Sequence, residues 1–193
     1  MEKLKEYIKQ QWFTVYKSLS PEALNDIYVF SFFMYDDDDD PRRPTLTIGY
    51  NTLSNYHAQI KFASDKNEAK WNYAFWLQNQ LANIGTQEDN VGRHLINDSI
   101  IENKHSYTDE EANNSFDACM EIGEQIAKNF VDLLVQIVQE THVSKLTKLP
   151  ILIHELEYYE VIRDEVIRDQ NIAANGEERV KEFTQWINNL YEE

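Results

Sequence analysis

Between Ile27 and Thr52 the chain reads IYVFSFFMYDDDDDPRRPTLTIGYNT, two apolar runs on either side of five consecutive aspartates. IYVFSFFMY carries β-branched and aromatic residues on both alternating faces, as expected of an internal strand covered on two sides. TLTIGYN puts Leu46, Ile48 and Tyr50 on one face and reads as a second strand. Asp36, Asp37, Asp38, Asp39 and Asp40, followed by Pro41, Arg42, Arg43 and Pro44, lie between them. Prolines are poor members of a hydrogen-bonded ladder, so this segment is expected to be a hairpin loop. The rest of the chain has to cover that hairpin.

Most of the remaining sequence has helical periodicity. Leu4, Ile8, Trp12, Val15 and Leu19 mark an amphipathic helix over 3–18, and Ser20 with Pro21 supplies the cap and first residue of a short one. NTLSNYHAQIKF and EAKWNYAFWLQNQLANIG read as helices, the second ending near Gly85, and VGRHLINDSIIENKH as another. Thr108 and Glu111 have capping-box spacing. Phe116, Met120, Gly123, Ala127, Phe130, Leu134 and Ile137 then form the stripe of one long helix. LPILIHELEYY is read as a third strand or the start of a buried helix, and Val180, Phe183, Trp186, Ile187 and Leu190 mark a docking helix near the end. Few strands and many helices predict an α+β fold. Its small, mostly antiparallel sheet, with the hairpin at the centre, is covered by several helices including the long one.

With 193 residues, 42% of them hydrophobic, the chain is expected to form a single domain spanning 1–193. Its N-terminus has no apolar signal core, no segment approaches a membrane span, and Cys119 is the only cysteine. These features fit a reducing cytoplasm.

Tests for chemical motifs exclude the familiar ones. An EF-hand loop starting at Asp36 would need Gly sixth and Glu twelfth, where Pro41 and Thr47 stand. The aspartate run is therefore read first as a solvated loop partly neutralised by Arg42 and Arg43. A partner-facing acidic loop and a loose carboxylate site for magnesium or calcium are the other readings. His57, His94, His105, His142 and His154 form no zinc-ligand spacing, and none of the five glycines lies in a nucleophile elbow or a phosphate-binding loop. Cys119 sits on the apolar stripe, the place of a buried, inert thiol. Glu102, Asp109, Glu110 and Glu111 are acids of the kind that complement helix dipoles. Trp71 and Trp76, five apart and read on one helix, are either core residues or exposed interface anchors.

The net charge is −16, and its placement is uneven. Residues 86–124 hold ten acids against two bases, and 155–193 hold eleven against four. Such a surface repels a phosphate backbone and attracts a cationic protein, although an acidic surface also serves solubility on its own.

YNT at Tyr50–Thr52, KWNYAFW at Lys70–Trp76 and ELEYYEVIRD at Glu155–Asp164 resemble a bacterial domain-of-unknown-function family. Its members carry a comparable NT after the second strand and a paired-Trp helix, and the resemblance spans most of the chain. That family is similar to the immunity proteins encoded beside polymorphic toxins. Together with the charge, the resemblance implies a non-catalytic acidic protein that sequesters a basic toxin domain, foremost a nuclease, by occluding its cationic groove. The partner-binding residues expected are Asp36, Asp37, Asp38, Asp39, Asp40, Glu88, Asp89, Glu110, Glu111, Trp71 and Trp76, with no cofactor, metal, nucleic acid or membrane involved. An enzyme with a cryptic carboxylate or metal site and an adaptor for another protein are the alternatives, and the oligomeric state is left open.

Overall fold

The hairpin forms, and it is the middle of a four-stranded sheet. In the computed structural model, which describes residues 1–155 and 161–190 with side chains in the second stretch from Glu165 on, β1 (Ile27–Asp36) pairs antiparallel with β2 (Pro44–Thr52). β3 (Ala82–Ile84) adds antiparallel to β2, and β4 (Ile151–His154) adds parallel to β1, giving the order β3-β2-β1-β4. Of the segment read as strand or buried helix, Ile151–His154 is thus a strand. The ELEYYEVIRD segment falls largely outside the described residues.

Helices cover both faces of this sheet. In chain order they are α1 (Glu2–Ser18), α2 (Pro21–Asp26), α3 (Leu53–Gln59), α4 (Lys66–Trp71), α5 (Asn90–Glu102), α6 (Asp109–Asn114), α7 (Phe116–Val143), α8 (Val161–Asn175) and α9 (Glu177–Asn189). Side chains alternate along a strand, so Phe30, Phe32, Met34, Leu46, Ile48, Ile151 and Ile153 share one face and pack on α1, α5 and α7. Trp12 of α1 meets Phe30 edge-on at 4.9 Å and Phe32 at 5.6 Å. The opposite face contributes Val29 and Leu152 to a second core with Trp71, Tyr73, Trp76, Ile167, Val180, Phe183, Trp186 and Ile187. The result is one α+β domain with a predominantly antiparallel sheet.

Four expectations need correction. EAKWNYAFWLQNQLANIG is not one helix. α4 stops at Trp71 because Asn72 turns extended and its Oδ1 accepts from the Ala74 N–H at 3.0 Å, while the Trp76 indole donates to the Lys70 carbonyl at 2.9 Å. These bonds replace the next helical turn and let Tyr73 and Trp76 turn inward. The long helix also starts later than its capping box: Thr108 and Glu111 cap the separate α6, and the chain breaks at Ser115 before α7. Its stripe holds at Gly123, Phe130, Leu134 and Ile137, all buried, but not at its start, where Phe116 and Met120 are exposed. Finally, β1 is not covered on both sides along its whole length, because Tyr35 is 42% exposed.

Side-chain amides continue the sheet's hydrogen bonding past the end of β3 and close the β4 edge. Beyond β3, Asn79 accepts from the Tyr50 N–H through Oδ1 and donates to the Tyr50 carbonyl through Nδ2. On the β4 edge, Asn171 and Asn175 of α8 do the same for Ile153 and Ile151. A helix advances about 6 Å in four residues and a strand about 6.6 Å in two, so amides four apart on α8 reach every second residue of β4.

Candidate functional site

The aspartate run is divided among three environments by the geometry of its turn. Asp37–Asp39 form one 3-10 turn in which Asp38 and Asp39 take φ of 59° and 54°, a left-handed conformation that aspartate tolerates better than most residues. Backbone bonds from Asp37 N to Arg43 O, at 2.9 Å, and from Arg43 N to Asp40 O, at 2.8 Å, close the loop.

Asp38 and Asp40 turn back onto the arginines. Arg42 grips Asp40 in a two-pronged pair, Nε to Oδ1 and Nη2 to Oδ2, both at 2.8 Å, and this pairing lowers the Asp40 pKa. Arg43 Nη1 reaches Asp38 Oδ2 at 2.8 Å. Arg42 also contacts Asp109 at 2.7 Å, donates to the Tyr107 carbonyl and lies over the Tyr107 ring at 5.0 Å. Arg42 therefore fastens the loop to the start of α6. Pro41 rests on Gly123 of α7, where an added Cβ would come within 2.8 Å of it.

The other three aspartates flank Tyr35. On one side a cleft of about 540 Å³ is lined by Asp36, Asp39 and Glu155 together with Phe33, Tyr35 and Ala127. On the other a cleft of about 490 Å³ is lined by Asp37 and Glu88 together with Phe33, Tyr35, Thr86 and Asn83. Among the described residues, neither lining contains a lysine or arginine. Tyr35 ends a run of near-parallel rings that starts at Tyr73, with Tyr73 to Phe33 at 4.9 Å and Phe33 to Tyr35 at 6.0 Å, both tilted by 17°. The open end of the sheet is thus an aromatic ridge between two acid-lined clefts.

The other expected site residues fare differently. Glu88 joins the second cleft. Asp89 is committed to the fold: it caps α5 through the Gly92 N–H, accepts from the Gly85 N–H and receives the Tyr7 hydroxyl at 2.6 Å. Burial and the Asp89 carboxylate push the Tyr7 pKa up to about 12. Glu111 is held in the capping box, where the Thr108 backbone N–H lowers its pKa, and Glu110 is exposed beside it. Trp71 and Trp76 are buried, at 4% and 6% exposure, so neither is a surface anchor. Tyr35, Phe33 and Thr86 were not anticipated. The signal was present in β1, where Val29, Ser31, Phe33 and Tyr35 alternate with the core residues, but nothing in the chain marks where cover ends on that face.

A buried polar pair lies behind this ridge. His154 is enclosed by Phe33, Tyr73 and Trp76, and its Nδ1 faces the Glu155 carbonyl at 3.0 Å. A carbonyl only accepts, so Nδ1 carries the proton, and Nε2 accepts from the Ser31 hydroxyl at 2.8 Å. Burial holds this imidazole neutral, with a pKa of about 3. Among the described residues, no group of three or more His, Cys, Asp or Glu is placed to hold a metal ion, and no helix is long and apolar enough to cross a membrane. No protein-family model, no curated protein and no solved structure matches the chain.

Proposed function

We propose that the chain is an acidic, non-catalytic binding protein of the immunity type, which captures a basic protein domain at the open end of its sheet. The observation that carries this reading is the Tyr35 ridge, an exposed aromatic between two clefts whose described linings hold acids and no lysine or arginine. Exposed aromatics supply contact area at small entropic cost, and surrounding carboxylates raise the rate of encounter with a cationic partner. Capping and ion pairing hold Asp38, Asp40, Asp89 and Glu111 in place, whereas Asp37, Asp39 and Glu88 border the ridge. A basic nuclease domain of a toxin is the partner class that fits such a surface, because its substrate groove presents the complementary charge.

The test is to sequence the neighbouring genes and co-express the chain with any basic domain they encode. The chain should relieve its toxicity and co-purify with it in equal amounts, and Tyr35→Ala should weaken the complex by about 2 kcal/mol, the scale of an aromatic hot spot. A toxic basic neighbour that is neither bound nor neutralised would count against the proposal.

A further inference from the structure

The cleft on the β3 side of Tyr35 has a chemistry narrower than attraction to positive charge. Its carboxylates are Asp37 and Glu88, and its other polar residues are Thr47, Gln80, Asn83, Thr86 and Gln87. The Asp37 Oδ2 and Thr86 Oγ1 atoms are buried without a hydrogen-bond partner, two of the three such side-chain atoms among the described residues. A buried carboxylate oxygen can only accept, and leaving it unmatched is costly. Thr47 and Asn83 are already engaged with each other at 2.9 Å, and Asn83 with Gln80 at 3.1 Å, so the cleft has a hydrogen-bonded wall facing the terminal ring of the Tyr73, Phe33, Tyr35 stack.

We infer that this cleft receives an arginine side chain of the basic partner, its guanidinium lying against Tyr35 and donating to Asp37. The inference rests on the proposed binding role and makes it specific. A guanidinium is flat, carries five donors and no acceptor, is weakly hydrated and stacks on aromatic faces, so a single group meets both the ring and the carboxylate. A lysine ammonium brings the same charge but no plane to stack and no fork to share between Asp37 and its neighbours. Among the described residues, no lysine or arginine lines the cleft beside its two carboxylates.

The experiment uses the full chain and two probes of equal charge, hexa-arginine and hexa-lysine, titrated at low salt and followed by calorimetry and by the backbone amide signals of Thr47, Thr86 and Gln87. Hexa-arginine is expected to bind about fivefold more tightly than hexa-lysine, the worth of one stacked cation, and to move those three signals. Tyr35→Ala and Asp37→Asn should each bring the two probes to the same affinity, while an unchanged melting temperature for each variant shows that the fold is intact. Equal binding of both probes by the native chain, or an arginine preference that survives both substitutions, would overturn the arginine site while leaving the acidic docking surface standing. If neither hexapeptide binds, the docking role falls as well.

Discussion

Asn171 meets Ile153 with both halves of its amide, Oδ1 accepting from the Ile153 N–H at 2.9 Å and Nδ2 donating to the Ile153 carbonyl at 2.8 Å. Asn175 repeats the contact at Ile151, at 2.8 and 2.9 Å. A helix thereby acts as the outer strand of the sheet and covers an edge that would otherwise offer unpaired backbone groups to another chain. Asn171→Ala would leave the Ile153 N–H of a fully buried strand unmatched, while the Ile153 carbonyl keeps the Gln170 amide at 3.2 Å, and is expected to cost about 1–3 kcal/mol. Urea denaturation reads this directly. A loss under 1 kcal/mol would show that β4 is held by its ladder with β1 and by packing, without help from the Asn171 amide. Asn171→Asp should be no better than Asn171→Ala, because it keeps the acceptor but cannot donate to the carbonyl and brings in a buried charge.

His154 makes stability depend on pH in a defined direction. Its folded pKa of about 3 lies below the ordinary value of 6.5, so between those limits the unfolded chain binds a proton that the folded chain does not. The stabilisation is complete above pH 6.5 and is lost as the pH falls towards 3, at up to about 1.4 kcal/mol per pH unit. Between pH 6.5 and 5, where few carboxylates titrate, the unfolding free energy should fall for the native chain and stay flatter for His154→Gln. Parallel curves for the two proteins would contradict the neutral, buried imidazole.

The aspartates of the loop should separate by role. Asp40→Ala removes the two-pronged contact of Arg42 with a largely buried carboxylate and should lower stability by about 1 kcal/mol. Asp37→Asn and Asp39→Asn remove charge from a crowded run and should leave stability within about 0.5 kcal/mol of the native value or raise it. Thermal melts in EDTA and in millimolar calcium or magnesium complete the comparison, with no stabilisation by either ion expected. A shift of several degrees with calcium would make the loop a cation site and reopen the carboxylate reading.

The hairpin was legible because its two apolar runs and its Pro-rich, acidic connection point to one local answer, and the same holds for α1, whose Leu4, Ile8, Trp12 and Val15 are all buried. What was not legible depended on partners distant in sequence. Trp71 and Trp76 lie in a segment read as one helix, yet Asn72 ends the helix through a side-chain bond that competes with the backbone. β3 has three residues, too few for a period, and its existence rests on pairing with Leu46, Thr47 and Ile48. Asn171 and Asn175 interrupt the buried face of α8 as polar residues, and only the position of β4 gives that interruption a meaning. The candidate site divides in the same way. The acids were visible as charge, but which of them face outward depends on Arg42 and Arg43 claiming Asp40 and Asp38.

The central claim is that the acids beside Tyr35, rather than the acidic surface at large, capture the partner. Stopped-flow association with the cognate basic domain tests it by comparing Asp37→Asn/Asp39→Asn/Glu88→Gln with Glu165→Gln/Glu177→Gln/Glu178→Gln, an equal loss of charge on α8 and α9. The account predicts that the first variant associates roughly tenfold more slowly than the native chain at low salt, that the second is close to native, and that the difference fades as the Debye length falls from about 10 Å at 0.1 M salt to about 3 Å at 1 M. Equal slowing of both variants, or slowing of the α8 and α9 variant alone, would contradict it.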